Sequence, residues 1–378
     1  MPTTLTTARP STESPVRSTP GRDPWFDNAK MLLVTLVVIG HSWVLLPEDT
    51  LSRNWFYDFL YLWHMPAFLV VTGYLSRSFT WTRRNLSRLV TMVAVPYFVF
   101  EALMSSFRIR VGGEDGIDTL FLEPHWPMWF LAALFFWRLA TPLLKTLPAP
   151  LAVAVVVSLL GGLLTGDVLD LGRVTGMLPF FVLGLVARPE HVDRLRARGA
   201  RRLGAGLLAL AFAVAPFVDG FMRTEWLYWR SGYDAMDVSF VEGALVRLAL
   251  IVVATALSLS ALSLVPRGAT WFTALGGATM TVYLFHGFFI RGAEYTGVFE
   301  WTSAAPWAGL VATTAASVVL AVALAAPPVS RRLDVVIDPV GAYRRAKDTW
   351  PEPSTGPELP DAAGTVERDR GPFSHLPR

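Results

Sequence analysis

A lysine and a histidine within one apolar stretch are the residues of this chain whose types and spacing best suit chemistry. Lys30 opens the segment KMLLVTLVVIGHSWVLL, and His41 follows eleven residues later. At about 100° per residue the two side chains share one helix face, separated by roughly 16 Å along the axis. Burying a histidine in a membrane span is costly, which favours a functional role. The structural alternative is a histidine that hydrogen-bonds a neighbouring helix.

Three of the six histidines fall at a similar depth in apolar segments and are predicted to share one cavity. His41, His64 and His286 lie about four to eight residues from the outer ends of their segments, which is roughly 6 to 12 Å. Imidazole titrates near pH 6.5 and can take up and return a proton, so the predicted chemistry is acid–base catalysis. Zinc sites usually contain histidines at i and i+4. The sequence has no such pair, and no metal is predicted.

Tyrosines and a fourth histidine are expected beside these three. Tyr61 precedes His64 by one turn and Tyr283 precedes His286 by one turn, so each tyrosine shares a helix face with its histidine. His125 lies at the outer mouth of the fourth apolar segment. Tyr61, Tyr283 and His125 are therefore candidate substrate-binding residues.

The composition indicates a polytopic helical membrane protein. The chain is 53% hydrophobic and 17% charged, whereas a soluble domain carries about a quarter charged residues. About ten segments are apolar and long enough to cross a bilayer as helices, which predicts an all-α transmembrane bundle. These segments are 30–46, 56–75, 86–107, 126–147, 151–166, 174–187, 203–218, 240–265, 271–290 and 306–326.

The placement of the arginines predicts that both termini are cytoplasmic. Arginines concentrate in the N-terminal tail, after the second and sixth segments, and after the tenth, while acidic residues dominate the opposite loops. Residues 1–24 and 331–378 are rich in proline and polar or charged residues, and are predicted to be disordered tails around a transmembrane domain at 25–330. We expect a multi-pass protein of the cell membrane that contacts the lipid bilayer and binds no nucleic acid.

Charged residues at the start of the first segment predict a phosphate site at the cytoplasmic surface. Arg22, Asp27 and Lys30 cluster there, and Arg84 and Arg88 follow the second segment. The alternative is a positive-inside anchor with an acid near a helix N-terminus. A donor with phosphates at this surface and a long thin arm would place its reactive end near His41. Coenzyme A has that shape.

Four motifs occur in a shared order: WFDNAKMLLVTLVVIGH at 25–41, HMPAFLVVTGYL at 64–75, WPMWFLAALFFWRL at 126–139 and YLFHGFF at 283–289. Over roughly residues 22–330 the chain resembles the acyltransferase 3 membrane family, and within it the fucose 4-O-acetylase-like branch. The resemblance implies transfer of an acyl group, usually acetyl from acetyl-CoA, to a hydroxyl of a sugar, glycoconjugate or exopolysaccharide, with His41 as the essential base. Many members carry an acidic residue soon after the tryptophan equivalent to Trp129, and this chain has none.

Several alternatives remain open at this level. Trp129 and Trp229 are candidate acceptor-binding aromatics, although tryptophans near a membrane edge also serve as interfacial anchors. Direct transfer is favoured over an acyl-enzyme because the chain has no cysteine and no visible Ser–His–Asp order. A transporter or flippase of a polar substrate, or an inactive membrane scaffold, would use the same residues differently. Consumption of radiolabelled acetyl-CoA separates the enzyme from both.

The predicted topology is tested by reporter tags on the intact protein. Tags after Arg198 and at the C-terminus should report a cytoplasmic location, and a tag near Gly113 should report the opposite side. A tag at Gly113 that is reached only from the cytoplasm contradicts the count of ten spans.

Overall fold

All regular secondary structure in the described part of the chain is helical, and no β-strand occurs there. The computed structural model describes residues 23–47, 51–115, 119–164, 168–218 and 220–348. The predicted all-α class is confirmed. The helices are α1 (Pro24–Trp43), α2 (Leu51–Leu75), α3 (Arg83–Leu89), α4 (Val95–Arg110), α5 (Trp129–Leu144), α6 (Pro150–Gly161), α7 (Leu171–Gly176), α8 (Leu178–Val186), α9 (Pro189–Leu195), α10 (Arg198–Val218), α11 (Glu225–Tyr228), α12 (Phe240–Leu264), α13 (Thr279–Tyr295), α14 (Pro306–Ala325), α15 (Pro327–Ile337) and α16 (Pro339–Asp348).

Four helical stretches among the described residues are long and apolar enough to cross a membrane. They are α10, α12, α14 and the stretch Arg83–Arg110, in which a π-helical turn joins α3 to α4. The helices α7 and α8 meet at a bend of 54° and would form a fifth span as one broken element. The count of about ten spans and the cytoplasmic location of both termini stay predictions.

Several predicted segments differ from the helices observed, and the first and ninth show the reasons. The first helix begins at Pro24 rather than at 30, because Asp23 caps it by accepting a hydrogen bond from the main-chain N–H of Trp25 at 3.0 Å. The ninth segment is divided: a short 3₁₀ helix at Thr273–Gly277 precedes α13, which continues to Tyr295. His286 therefore lies near the middle of its helix.

The region predicted to be a disordered C-terminal tail begins with helix. α15 extends into it because Val329, Leu333 and Val336 recur at helical spacing and pack on the core, and Ile337 is buried. The proline- and arginine-rich composition of this region predicted disorder and gave no indication of the apolar stripe. α16 falls almost entirely in a second compact unit that starts at Val340. The predicted tail at 349–378 and residues 1–22 lie outside the described residues.

α1 is the helix around which the site is built, and Asn28 fixes its start. α1 contacts α2, α13, α14 and the 3₁₀ helix before α13. The buried Asn28 amide donates to the carbonyls of Pro266 (3.0 Å) and Gly268 (2.9 Å), and its oxygen accepts from Thr270 (3.1 Å) and Thr273 (2.7 Å). Every hydrogen-bonding position of this amide is used, so the segment before α13 is held to α1.

Two glycines let α2 and α8 pack backbone to backbone. A Cβ on Gly73 would collide with the carbonyl oxygen of Phe181, and one on Gly184 with the carbonyl oxygen of Val70. Small residues at such crossings allow the close helix contact that stabilises membrane bundles. This contact holds α2, which carries His64, against α8.

Gly73→Ala tests the contact, with Gly206→Ala as its matched control. The added methyl group at 73 meets backbone that has no room to move, and overpacking of this kind costs about 1–3 kcal/mol. Gly206 lies within α10 with open space around it, so alanine there should be neutral or stabilising by up to about 1 kcal/mol. Thermal unfolding of both purified variants in detergent measures the difference. Equal stability of Gly73→Ala and the parent protein contradicts the close packing.

Candidate active site

α1 and α13 bring two of the predicted histidines into direct contact. Nδ1 of His41 lies 2.8 Å from Nε2 of His286, and both side chains are buried. Nδ1 of His286 lies 3.1 Å from the carbonyl oxygen of Val282, which can only accept, so a neutral His286 carries its hydrogen on Nδ1. Nε2 of His286 then accepts from Nδ1 of His41. A neutral His41 is left with its lone pair on Nε2.

A cavity of about 260 Å³ lies against His41. Its walls come from α1, α2, α5, α7, α11, α13 and the segment leading into α5, and they include both His41 and His64. Nδ1 of His64 donates to the carbonyl of Leu60 at 2.9 Å, so this imidazole also keeps a lone pair on Nε2. His286 contacts His41 through Nδ1 of His41 and is not among the described residues that line the cavity.

Aromatic rings form much of the wall. Tyr61 and Tyr283 line the cavity, and the ring centroids of Tyr61 and His64 are 4.7 Å apart. The hydroxyl of Tyr283 donates to the carbonyl of Pro127, which fixes the segment before α5 to α13. Trp129 also lines the cavity. Trp126, which was not predicted as a site residue, lies with its ring centroid 4.3 Å from that of His41.

The predicted donor face of α1 leads into this cavity. Val34 and Val37 lie between Lys30 and His41 at helical spacing, and both line the cavity. Nζ of Lys30 forms an ion pair with Asp27 at 2.8 Å. Of the other predicted donor-binding residues, Arg84 and Arg88 are exposed on α3, and Arg22 lies outside the described residues.

Trp229 is buried beside the cavity rather than on its wall. It adopts a left-handed backbone conformation (φ 60°) at the end of α11, and its ring meets that of Phe180 edge to face. Its neighbours in sequence, Tyr228 and Arg230, do line the cavity. The loop therefore reaches the site through the residues on either side of Trp229.

Sequence reasoning missed Arg173. Its Nε donates to the carbonyl of Tyr228 at 3.0 Å, its Nη1 pairs with Asp170, and its guanidinium lies 5.2 Å from the centre of the Trp129 ring. An arginine next to a predicted span was a signal, but hydropathy gives no indication that the chain breaks between α7 and α8. Arg173 lies in α7, before that break, and lines the cavity.

A second cavity, of about 590 Å³, adjoins the first. Val44, Trp126, Arg173 and Arg230 line both, so they form a shared wall. The second cavity is the more polar; its lining adds Leu45, Arg108, Thr119, Glu123, Pro124, His125, Arg291 and Glu294. We call it the outer cavity, after the predicted topology.

Glu101 holds His125 at the outer cavity. The fully buried carboxylate accepts the main-chain N–H of His125 at 2.9 Å and also pairs with its Nδ1. Sequence reasoning missed Glu101, although a carboxylate inside the third predicted span was itself a signal. Its partner lies 24 residues away, across a loop, and no local pattern links the two.

Each arginine of the outer cavity is paired with a carboxylate. Arg230 pairs with Glu123 at 3.1 Å and Arg291 with Glu294 at 2.6 Å; Arg108 pairs with Glu114, and Arg173 with Asp170. Hydrogen bonds from Arg108, then from Tyr295, lower the pKa of Glu114 to about 2. Glu114 is therefore ionised near neutral pH and balances the charge of Arg108.

No group of three or more His, Asp or Glu side chains is arranged to hold a metal ion in the part of the chain that the structure describes.

Comparison with known proteins gives one family and two relatives. A family model described as an acyltransferase domain matches residues 23–326. The Nodulation protein NolL of Sinorhizobium fredii (strain NBRC 101917 / NGR234) is 30% identical over 186 residues, which cover 44% of this chain and 48% of that protein. The Nodulation protein NolL of Mesorhizobium japonicum (strain LMG 29417 / CECT 9101 / MAFF 303099) is 41% identical over 61 residues, 15% of this chain and 16% of that protein. The chain thus spans about half the length of the first relative. No solved structure matches.

Proposed function

Because the chain belongs to the acyltransferase 3 family, whose model spans residues 23–326, we propose that it moves an acetyl group from acetyl-CoA to a hydroxyl of a sugar, glycoconjugate or exopolysaccharide. The observation that carries this proposal is the lone pair on Nε2 of His41 at a cavity wall, held there by the bond from Nδ1 to His286. The motifs around His41, Trp129 and His286 favour the fucose 4-O-acetylase-like branch. The cell membrane is the proposed location.

His41 is the general base of the proposed reaction. The acceptor hydroxyl gives its proton to Nε2 of His41 as its oxygen attacks the thioester carbonyl. The carbon–sulfur bond breaks, and coenzyme A leaves as a thiolate that takes the proton back. While His41 is charged, its Nδ1–H bond to His286 becomes charge-assisted and stronger, because the acceptor on His286 is a lone pair.

Donor binding is assigned to the cytoplasmic end of α1. Lys30 lies about 16 Å from His41 along the helix, a distance that the extended arm of coenzyme A can span. Val34 and Val37 give this route an apolar wall. Lys30 is a point charge for a phosphate group, and Asp27 orients it through their ion pair.

His41→Ala and His41→Gln test the base. Removing a general base reduces turnover by roughly 10²- to 10⁴-fold, and glutamine cannot replace imidazole as a proton acceptor. The measurement is transfer of radiolabelled acetyl from acetyl-CoA by purified protein. His191→Ala, on the exposed side of α9, is the control and should leave transfer unchanged. Near-parental turnover in either His41 variant rules out this role for His41.

Lys30→Ala tests the donor site. A residue that binds phosphate without entering the transition state affects KM for acetyl-CoA more than kcat, so KM should rise and kcat should change little. Lys30→Arg should be partly tolerated because a positive charge matters more here than its shape. Added salt should weaken donor binding less in Lys30→Ala than in the parent protein.

The control is Arg201→Ala, which removes an exposed arginine of α10. If kcat and kcat/KM fall equally in Lys30→Ala, Lys30 acts in the transition state and the assignment to donor binding is wrong.

A further inference from the structure

We propose that the outer cavity binds an uncharged, hydroxyl-rich sugar unit of the acceptor, with Nε2 of His125 hydrogen-bonded to one of its hydroxyls. This deepens the proposed function and rests on it, since it names the class of acceptor and the place where it binds. His41, in the adjoining cavity, remains the base.

His125 is held in a fixed position and has an unused hydrogen-bonding atom, which supports this assignment. Nδ1 and the main-chain N–H of His125 both bond to Glu101, so the ring cannot turn without losing the first of these bonds. Nε2 of His125 is buried, belongs to a residue of the cavity wall, and has no hydrogen-bond partner among the described residues. A buried polar atom without a partner is costly, and a ligand that supplies the missing bond removes that cost.

The missing partner is best supplied by a hydroxyl group. A neutral imidazole offers a lone pair at Nε2, and an imidazolium offers an N–H. A hydroxyl can both donate and accept, so it satisfies Nε2 in either state. A carboxylate or phosphate oxygen satisfies only the imidazolium.

The charges of the cavity are balanced among its own residues and do not favour an anion over a neutral ligand. All four lining arginines already face a carboxylate, and two of these carboxylates, Glu123 and Glu294, also line the cavity. A bound anion would approach those carboxylates and compete with them for the guanidinium groups. Paired guanidinium and carboxylate groups instead present donors and acceptors side by side, which matches the alternating hydroxyls of a sugar ring.

The size of the outer cavity and the wall that it shares with the first cavity also fit a sugar. A volume of about 590 Å³ falls within the range of ligand pockets and accommodates a sugar unit. Trp126 lies on the wall shared with the first cavity and contacts the ring of His41. A sugar held at His125 therefore lies in a cavity that shares the Trp126 wall with the cavity of His41, and a hydroxyl that passes this wall meets the base.

Sugar binding without acetyl-CoA tests the proposal. Saturation-transfer NMR on the purified full-length protein, with neutral methyl hexopyranosides and the corresponding uronates as probes, gives the affinities. At least one neutral glycoside should bind, and its uronate should bind more weakly. His125→Asn keeps an N–H near the position of Nδ1 for Glu101 but removes Nε2, so the segment stays anchored while the sugar loses one bond. Binding should weaken by roughly 3- to 10-fold.

His191→Asn is the matched control, since the same exchange on exposed α9 should leave binding unchanged. Thermal unfolding of His125→Asn shows whether the fold is kept, and His125→Gln, which places its amide near the position of Nε2, should recover part of the binding. Tighter binding of a uronate, parental affinity in His125→Asn, or no binding of any glycoside overturns the proposal. Sugar binding by a protein that never consumes acetyl-CoA would refute the proposed function and leave this site standing.

Discussion

A polar group inside an apolar helical bundle must find its hydrogen-bond partner elsewhere in the protein, and the packing around α1 follows from that requirement. Asn28 finds four partners in the segment before α13. His41 finds His286 on α13, and the Ser42 hydroxyl receives a bond from Ser317 on α14 at 2.8 Å. The side chains that are costly to bury are therefore those that decide which helices lie beside α1 and at what rotation.

The sequence could predict those parts of the site that depend on the periodicity of one helix or on depth along a span. Helical periodicity is local, so it placed Lys30 and His41 on one face, and Val34 and Val37 between them do line the cavity. Depth along a span is a single coordinate shared by all helices, so it selected His41, His64 and His286 as a group. In the structure His286 bonds to His41 and is not among the described residues that line the cavity. Depth alone could not distinguish this position from one on the cavity wall.

The parts that the sequence could not predict depend on breaks in helices and on contacts across loops. Hydropathy treats 174–187 as one segment, whereas α7 and α8 are bent, and Leu169 and Asp170 before them adopt left-handed conformations. Arg173, on the cavity wall, lies in α7 between these departures from regular helix. Glu101 was visible as a carboxylate within a span, but its partner His125 is known only from the tertiary structure.

The segment from His125 to Pro127 is anchored at both ends by residues of other helices. Glu101 of α4 fixes one end through His125, and Tyr283 of α13 fixes the other through the carbonyl of Pro127. Trp126 stands between these two anchors, on the wall that both cavities share and against the ring of His41. Its orientation is thus set by two helices at once, and a shift of either helix moves the boundary between the cavities. Under the proposed function, the acceptor hydroxyl passes this boundary to reach His41, so the buried pair of Glu101 and His125 helps to define that approach without touching His41.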